Sequence, residues 1–522
     1  MAHDHTRPAS GIILDRRQLI TGATALALSA SFGAPPAMAQ GTPKKGGTLR
    51  LGMEGGSPSD SLDPRTYADS IPISYSLMFW NQLVEIDAKG NATPELAESW
   101  QSKPGAAEWI FNIRKGITFG SGKTLDADDV IYSINLHRGD TKSPAKGILE
   151  PITEIKKLSA NQLQITMKSG NADLPFVLSD YHLIVVPNGT TDFSKPDGTG
   201  AYTLTEWQPG VRIVAKRKPG NYWKPNRGNF DTIELRYIGD SASRTQALVT
   251  GQVDAVNRLN PKTVALLSKN KDITITRTKG TGNRYGFVAM VDTDPYKNRD
   301  VMLGLKYGIE RQKVVDNVFS GYATIGNDQT VGPADQFFNA ALKPKAYDPE
   351  KAKFHFKKAG FSGPFEVQVS EGCYSGATDS GVMFQESLKK VGVSLEVKRV
   401  SGDGYWDNVW MKAPFCSVFW GNRPTADLQI SLQFLSGGAW NDTHFKSAAL
   451  DKLVVDARVE LKRAKRMELY AEAQRIISEE AGMVCFGVGD QMDGGGKKLR
   501  GLESHARYDM NDNRLAEKGW FA

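Results

Sequence analysis

A mixed α/β protein of two or three domains is what the sequence predicts, on three observations. Short runs with strand-like alternation recur along the chain, stretches with apolar residues three and four apart separate them, and 522 residues exceed what one hydrophobic core organises. The first strand is Thr48-Leu49-Arg50-Leu51-Gly52-Met53, whose two-residue repeat marks a half-buried strand. It follows a Gly/Lys-rich lead, Gly41 to Gly47. Further strands are predicted at 109–114, 162–167, 182–187, 212–216 and 232–237, with helices at 127–136 and 243–250 among them. In the C-terminal half, helices at 300–309, 311–319, 349–359 and 378–391 are interspersed with strands at 365–370 and 394–400. From 449 to 480, Leu450, Leu453, Ala457, Leu461 and Ala464 share one face while Lys452, Arg458, Lys462 and Arg466 turn elsewhere, as expected of one amphipathic helix or two in succession.

The N-terminus reads as an export signal. Asp15-Arg16-Arg17-Gln18-Leu19-Ile20 leads into an apolar run ending near Phe32, and Ala37-Met38-Ala39 offers small residues for cleavage. The paired arginines fit the twin-arginine signal, whose machinery accepts folded cargo. The run is shorter than the roughly 20 apolar residues a membrane span needs. No cysteine stands near the cleavage site to take a lipid. Residues 1–39 are therefore expected to be removed, leaving a soluble chain free in the periplasm.

Charge and composition exclude several classes. The formal charge is +7, and the signal takes away three arginines and two aspartates, so the mature chain stays mildly basic. Lysines and arginines are interspersed with acids and form no stripe, which argues against nucleic-acid binding. Three cysteines, Cys373, Cys416 and Cys485, are too few for a disulfide framework, although one pair could join in an oxidising compartment. None of the seven histidines has metal-ligand spacing with a nearby carboxylate, so neither a metal nor a cofactor is expected. Gly120-Ser121-Gly122-Lys123-Thr124 ends like a phosphate-binding loop, but Ile117 stands where its first glycine is needed. Asp128 and Asp129 point to different helix faces at a helix start, where negative charge is favourable in any case. No catalytic residue is assigned.

Several blocks, in a fixed order, carry a resemblance. Ser61-Leu62-Asp63-Pro64 follows the first strand; Pro94-Glu95-Leu96-Ala97-Glu98-Ser99-Trp100 leads to Trp109-Ile110-Phe111-Asn112-Ile113-Arg114-Lys115-Gly116-Ile117-Thr118-Phe119 and then Leu125-Asp126-Ala127-Asp128-Asp129-Val130. Thr199-Gly200-Ala201-Tyr202 stands where a Thr-Gly-Pro-Tyr is usual, and Asp240, Arg244, Ala247-Leu248 and Gly251-Gln252-Val253-Asp254 form a last block. Together these resemble the family 5 extracellular solute-binding proteins, the peptide, nickel and opine receptors of ABC importers. The resemblance implies a two-lobed periplasmic-binding-protein fold of type II, of the large cluster with an extra subdomain inserted in the first lobe. Lobe I would comprise 41–82, 195–285 and 491–522, the insert 83–194, and lobe II 286–490. A small molecule or short peptide would bind between the lobes of a monomer, which would deliver it to the importer's permease.

Candidate ligand-binding residues follow from that mapping. Relatives that bind peptides hold the ligand's ammonium with an acid shortly after a lobe II tryptophan; here Trp420 is followed by Arg423 in that place, and a guanidinium suits a carboxylate. Asp427 could take over the acidic role or cap the following helix. Trp420 is expected as a cleft wall or as a core tryptophan. Trp440-Asn441-Asp442, after a Gly-Gly turn, faces the cleft or forms a structural turn. Glu54, Gly55 and Ser57 on the loop after the first strand, and Arg284 with Tyr285 near the crossover between lobes, complete the set. A periplasmic hydrolase and a sensory or chaperone-like peptide-binding module are the alternatives to a transport receptor.

Overall fold

The computed structural model describes residues 42–361 and 363–522. The expected signal peptide lies outside them. Two large sheets dominate. The first has seven strands in the spatial order Ile273–Thr278, Gln491–Gly496, Ala255–Val256, Thr48–Met53, Thr232–Tyr237, Arg212–Arg217 and Tyr202–Gln208. Its centre is parallel: Thr48–Met53 pairs in parallel with Thr232–Tyr237 and with Ala255–Val256, with Leu51 opposite both Leu235 and Ala255. The second has six, in the order Ala323–Ile325, Met483–Gly489, Arg284–Ala289, Phe415–Trp420, Phe365–Val369 and Leu395–Arg399.

The chain passes between the sheets twice. Thr278 ends a strand of the first sheet and Arg284 begins one of the second; Gly489 ends a strand of the second and Gln491 begins one of the first. The two crossovers are tied together, Gly282 N–H donating to Gly489 C=O at 2.8 Å and Gly489 N–H to Asn283 C=O at 2.9 Å. Arg284 and Tyr285, assigned from sequence to the end of lobe I, are thus the first residues of a strand in the second sheet.

A separate four-stranded antiparallel sheet, Ala97–Ser102, Glu108–Ile113, Gln162–Met167 and Ile152–Ser159, lies within 83–194. Glu108–Ile113 buries Trp109, Phe111 and Ile113, and Gln162–Met167 buries Leu163, Ile165 and Met167, which is the alternation of a sheet with one wet face. Helix Ala127–Asn135 packs below it, entered through a capping box in which Asp126 accepts from the backbone of Asp128 and Asp129 and Asp129 returns the bond. By contrast, Met483–Gly489 is buried along its whole length because helices cover both faces of the second sheet.

Two expectations are corrected. Residues 182–187 form no strand; the stretch is buried but irregular, Val185 N–H donating to Asn81 C=O and Val186 N–H to the Ser133 hydroxyl. The 449–480 region is two helices, Ala448–Val459 and Arg463–Glu480, and the break between them leaves Leu461 and Ala464 exposed, off the face expected of them, while Arg466 turns inward. Arg466, 5% exposed, pairs at 2.7 Å with Asp173, and Arg458 holds Asp427.

Candidate functional site

In open α/β sheets a ligand site lies beyond the carboxyl ends of the parallel strands. In the first sheet those ends deliver Glu54, which follows Met53, and Asn257 with Arg258, which follow Val256. In the second, Phe365–Val369 runs parallel to Leu395–Arg399 and to Phe415–Trp420, so the segments after Val369, Arg399 and Trp420 emerge on one side.

Arg423, on the segment after Trp420, lines a cleft. Its guanidinium carbon lies 5.5 Å from the ring centre of Trp440 and 6.0 Å from that of Trp420. It forms no salt bridge among the described residues. Burial lowers its pKa, and only the phenols of Tyr508 and Tyr181 act in the opposite direction. Asn422, Arg423 and Pro424 line this cleft together with Ala334, Asp335 and Gln336, and with Ile86, Phe176, Ser179 and Ala506.

The tryptophans divide into a buried and an exposed member. Trp420 is 3% exposed and donates its indole N–H to Asp442 at 2.9 Å, so most of its ring is core, while Trp440 is 43% exposed. Trp410 also donates to Asp442, at 3.0 Å, and its ring lies edge-on to both. Asp442 therefore does not reach the cleft: it is 1% exposed and underpins the indoles. Asn441 is likewise a turn residue, its amide donating to Leu435 C=O and Phe445 C=O.

Three other expected contacts are corrected. Asp427 neither caps its helix nor faces the cleft; Thr425 is the cap, accepting from Leu428 N–H, and Asp427 takes a bidentate bond from Arg458. Arg284, 1% exposed, is spent on backbone, donating to Thr330 C=O at 2.8 Å and Gly282 C=O at 3.0 Å. Tyr285 packs into the second-sheet core against Phe319, Tyr374 and Phe419. Glu54 is at the mouth but occupied, with Arg244 at 2.6 Å and Arg258 at 3.4 Å. Gly55 has φ +86° and a Cβ there would lie 2.8 Å from the Asp69 carboxyl, so the turn requires glycine. Ser57 bonds to the Ser59 hydroxyl and, through its N–H, to Asp60.

Sequence reasoning missed Tyr181, Tyr508 and Asp335. The first two hydroxyls have no hydrogen-bond partner among the described residues, and the rings meet edge-to-face at 6.0 Å. Asp335 accepts from Phe337 N–H at 2.7 Å, and burial pushes its carboxyl up to about 6. No local pattern distinguishes these three, because segments far apart in sequence bring them together.

Burial also pushes Asp442 up to about 6, against the lowering effect of its three donors. The folded protein thus binds this proton more tightly than an unfolded chain with the ordinary value of 3.8. The resulting stabilisation is full below about pH 4 and is lost as pH rises through about 6, amounting to about 3 kcal/mol. Asp442→Asn keeps an oxygen for the indoles and resembles the protonated acid. The variant should lack the part of the stability change between pH 4 and 7 that this group supplies, which denaturant titrations at both pH values will measure; identical pH slopes for the two proteins would reject the assignment.

All three cysteines are buried and free, with their thiols pushed up by burial. Among the described residues no helix is long and apolar enough to cross a membrane, and no group of three or more metal-ligating side chains could hold an ion.

Comparison with known proteins places the chain. Residues 91–442 match the bacterial extracellular solute-binding proteins, family 5 middle region. The chain belongs to this family; it is a solute-binding protein, not an enzyme. It is 26% identical over 473 residues to the glutathione-binding protein GsiB of Escherichia coli, covering 86% of this chain and 90% of that one. Its fold matches the ABC transporter-associated periplasmic binding protein DppA of Helicobacter pylori in complex with the peptide STSA, at TM-score 0.71 and 20% identity over 92% of this chain and 98% of the other. AgaA of A. tumefaciens R10, in complex with agropinic acid, matches at TM-score 0.72 and 20% identity, covering 91% and 99%.

Proposed function

We propose that the protein is the periplasmic receptor of an ABC importer and that its solute is a small anionic or zwitterionic molecule, a short peptide or an opine-like amino-acid conjugate, held by a carboxylate on Arg423. One observation carries the ligand class: Arg423 is a partly desolvated guanidinium beside two indoles with no carboxylate of its own among the described residues. A partly desolvated cation without a counterion is costly, and a ligand carboxylate would supply the missing charge. Trp440 offers the solute an apolar face beside it. Relatives whose names specify glutathione, a peptide and agropinic acid all take ligands bearing carboxylates, which agrees with this reading.

Export would follow the twin-arginine route, supported by Arg16-Arg17 ahead of an apolar run. Replacing both by lysine should leave precursor in the cytoplasm, and undiminished periplasmic protein would reject this route. The ligand class is tested by mass spectrometry of what co-purifies, followed by thermal-shift titration with that compound, glutathione and a panel of di- and tripeptides. Binding stabilises the folded state with the logarithm of concentration over affinity. A carboxylated hit supports the reading; a ligand that is cationic and lacks any carboxylate overturns it.

A further inference from the structure

Beneath the aromatic wall runs an unbroken line of buried hydrogen bonds. Trp420 Nε1 donates to Asp442 at 2.9 Å; Gln433 Nε2 donates to the other oxygen of Asp442 at 3.3 Å; Thr330 Oγ1 donates to Gln433 Oε1 at 2.7 Å. Arg284 Nε then donates to Thr330 C=O at 2.8 Å, and Arg284 Nη1 to Gly282 C=O at 3.0 Å. Gly282 lies in one crossover between the sheets and is bonded to Gly489 of the other. Asp442, Gln433, Thr330 and Arg284 are all 1% exposed or less.

Each link lacks an easy substitute. Water cannot replace partners that are fully enclosed, so breaking a bond leaves its ends unsatisfied, except that Asp442 Oδ2 keeps the second indole donor, Trp410. Arg284 forms no salt bridge among the described residues, and burial lowers its pKa to about 10 against the raising effect of the Asp335 carboxylate. A Cβ on Gly332 would fall 2.0 Å from Arg284 Nη2, so the guanidinium fills its slot against bare backbone. The line therefore has one end at the ring beside Arg423 and the other at the crossover that joins the two sheets.

We infer that Asp442, Gln433, Thr330 and Arg284 are positioning residues that mechanically tie the aromatic wall of the cleft to the interlobe crossover, so that the wall's packing and the crossover's conformation change together. The inference rests on the reading that this wall meets the solute, but its test needs no solute. Physical coupling, not proximity, is what must be shown.

Amide hydrogen exchange at Gly282 and Gly489 reports on the crossover, and the perturbations are made away from it. Trp420→Phe removes the donor at the cleft end, and Thr330→Val removes the central hydroxyl. Each should accelerate exchange of both amides by about three- to tenfold, the effect of weakening one net hydrogen bond. Ser380→Ala breaks an equally buried bond to Tyr374 outside the line and should leave them at the parental rate. Asp442→Asn keeps an acceptor for the indoles but turns an amide NH2 toward Gln433 Nε2, which breaks that link, so it should accelerate both amides as well. Parental exchange in Trp420→Phe with circular dichroism showing an intact fold overturns the inference, whether or not Thr330→Val folds. Equal acceleration by Ser380→Ala overturns it too, as general loosening. Loss of solute affinity in Arg423→Ala tests the cleft separately, so either idea can fail alone.

Discussion

Replacing Arg514 by methionine should lower the unfolding free energy by about 3 to 5 kcal/mol, the cost of removing one partner from a buried charge group. Arg514 is fully buried and bonds Glu95 and Glu517, each at 2.9 Å, and Gln82 at 3.0 Å. Lys224 reaches the same acids, Glu95 at 2.6 Å and Glu517 at 2.9 Å, together with Glu85 at 2.7 Å. These cations hold Glu517 down at about 2 despite complete burial, and they hold Glu85 well below the usual carboxylate range. Without Arg514, Glu95 would keep Lys224 as its one cation and Glu517 would keep Lys224 and Arg227, among the described residues, in a buried enclosure. Urea unfolding monitored by circular dichroism measures the loss. A cost near zero would mean that methionine packs the site as well as the ions do, an outcome known for some fully replaced buried networks but not expected when carboxylates remain behind.

The second large effect concerns Arg423. Truncation to alanine should weaken solute binding by on the order of 2 to 5 kcal/mol, because the carboxylate would lose a desolvated, fork-shaped partner. Arg423→Lys should recover only part of this, since an ammonium keeps the charge but not the paired donors or the stacking on Trp440. Calorimetric titration with the co-purified compound compares the three proteins. Unchanged affinity in the alanine variant would remove Arg423 from the site; full recovery by lysine would show that charge alone acts.

Much of the architecture was readable in the sequence, for physical reasons. Glu108–Ile113 and Gln162–Met167 alternate because one face of their sheet is wet, and Asp126 with Asp129 announces a helix start through its own capping chemistry. Residues 182–187 deceived because an apolar run fits any buried conformation; side-chain and loop partners satisfy its backbone in place of a neighbouring strand. The site was legible only in part. Arg423 and Trp440 stood out through their chemistry and position, but Trp-Asn-Asp reads the same whether its acid points into a cleft or folds beneath the indoles. Asp427 looked free because its partner, Arg458, is 31 residues away, and nothing local reveals Tyr181 or Tyr508.

The return of the chain's end to the first sheet has a consequence for biosynthesis. Ala255 is paired with Gly495 and Ile273 with Gly496, while Arg514 meets Glu95 across 419 positions. A chain that stops short of Gln491 lacks the strand that joins Ile273–Thr278 to the rest of that sheet, and lacks Arg514, one of the two cations that hold Glu95. Closing such long-range contacts is entropically slow. The half synthesised first is therefore completed only once Gln491–Gly496 and Arg514 have been made. Loss of the final thirty or so residues would spare the second sheet's own strands yet leave the first without its lock, a pattern that limited proteolysis of stalled chains would display as protection of the later half alone.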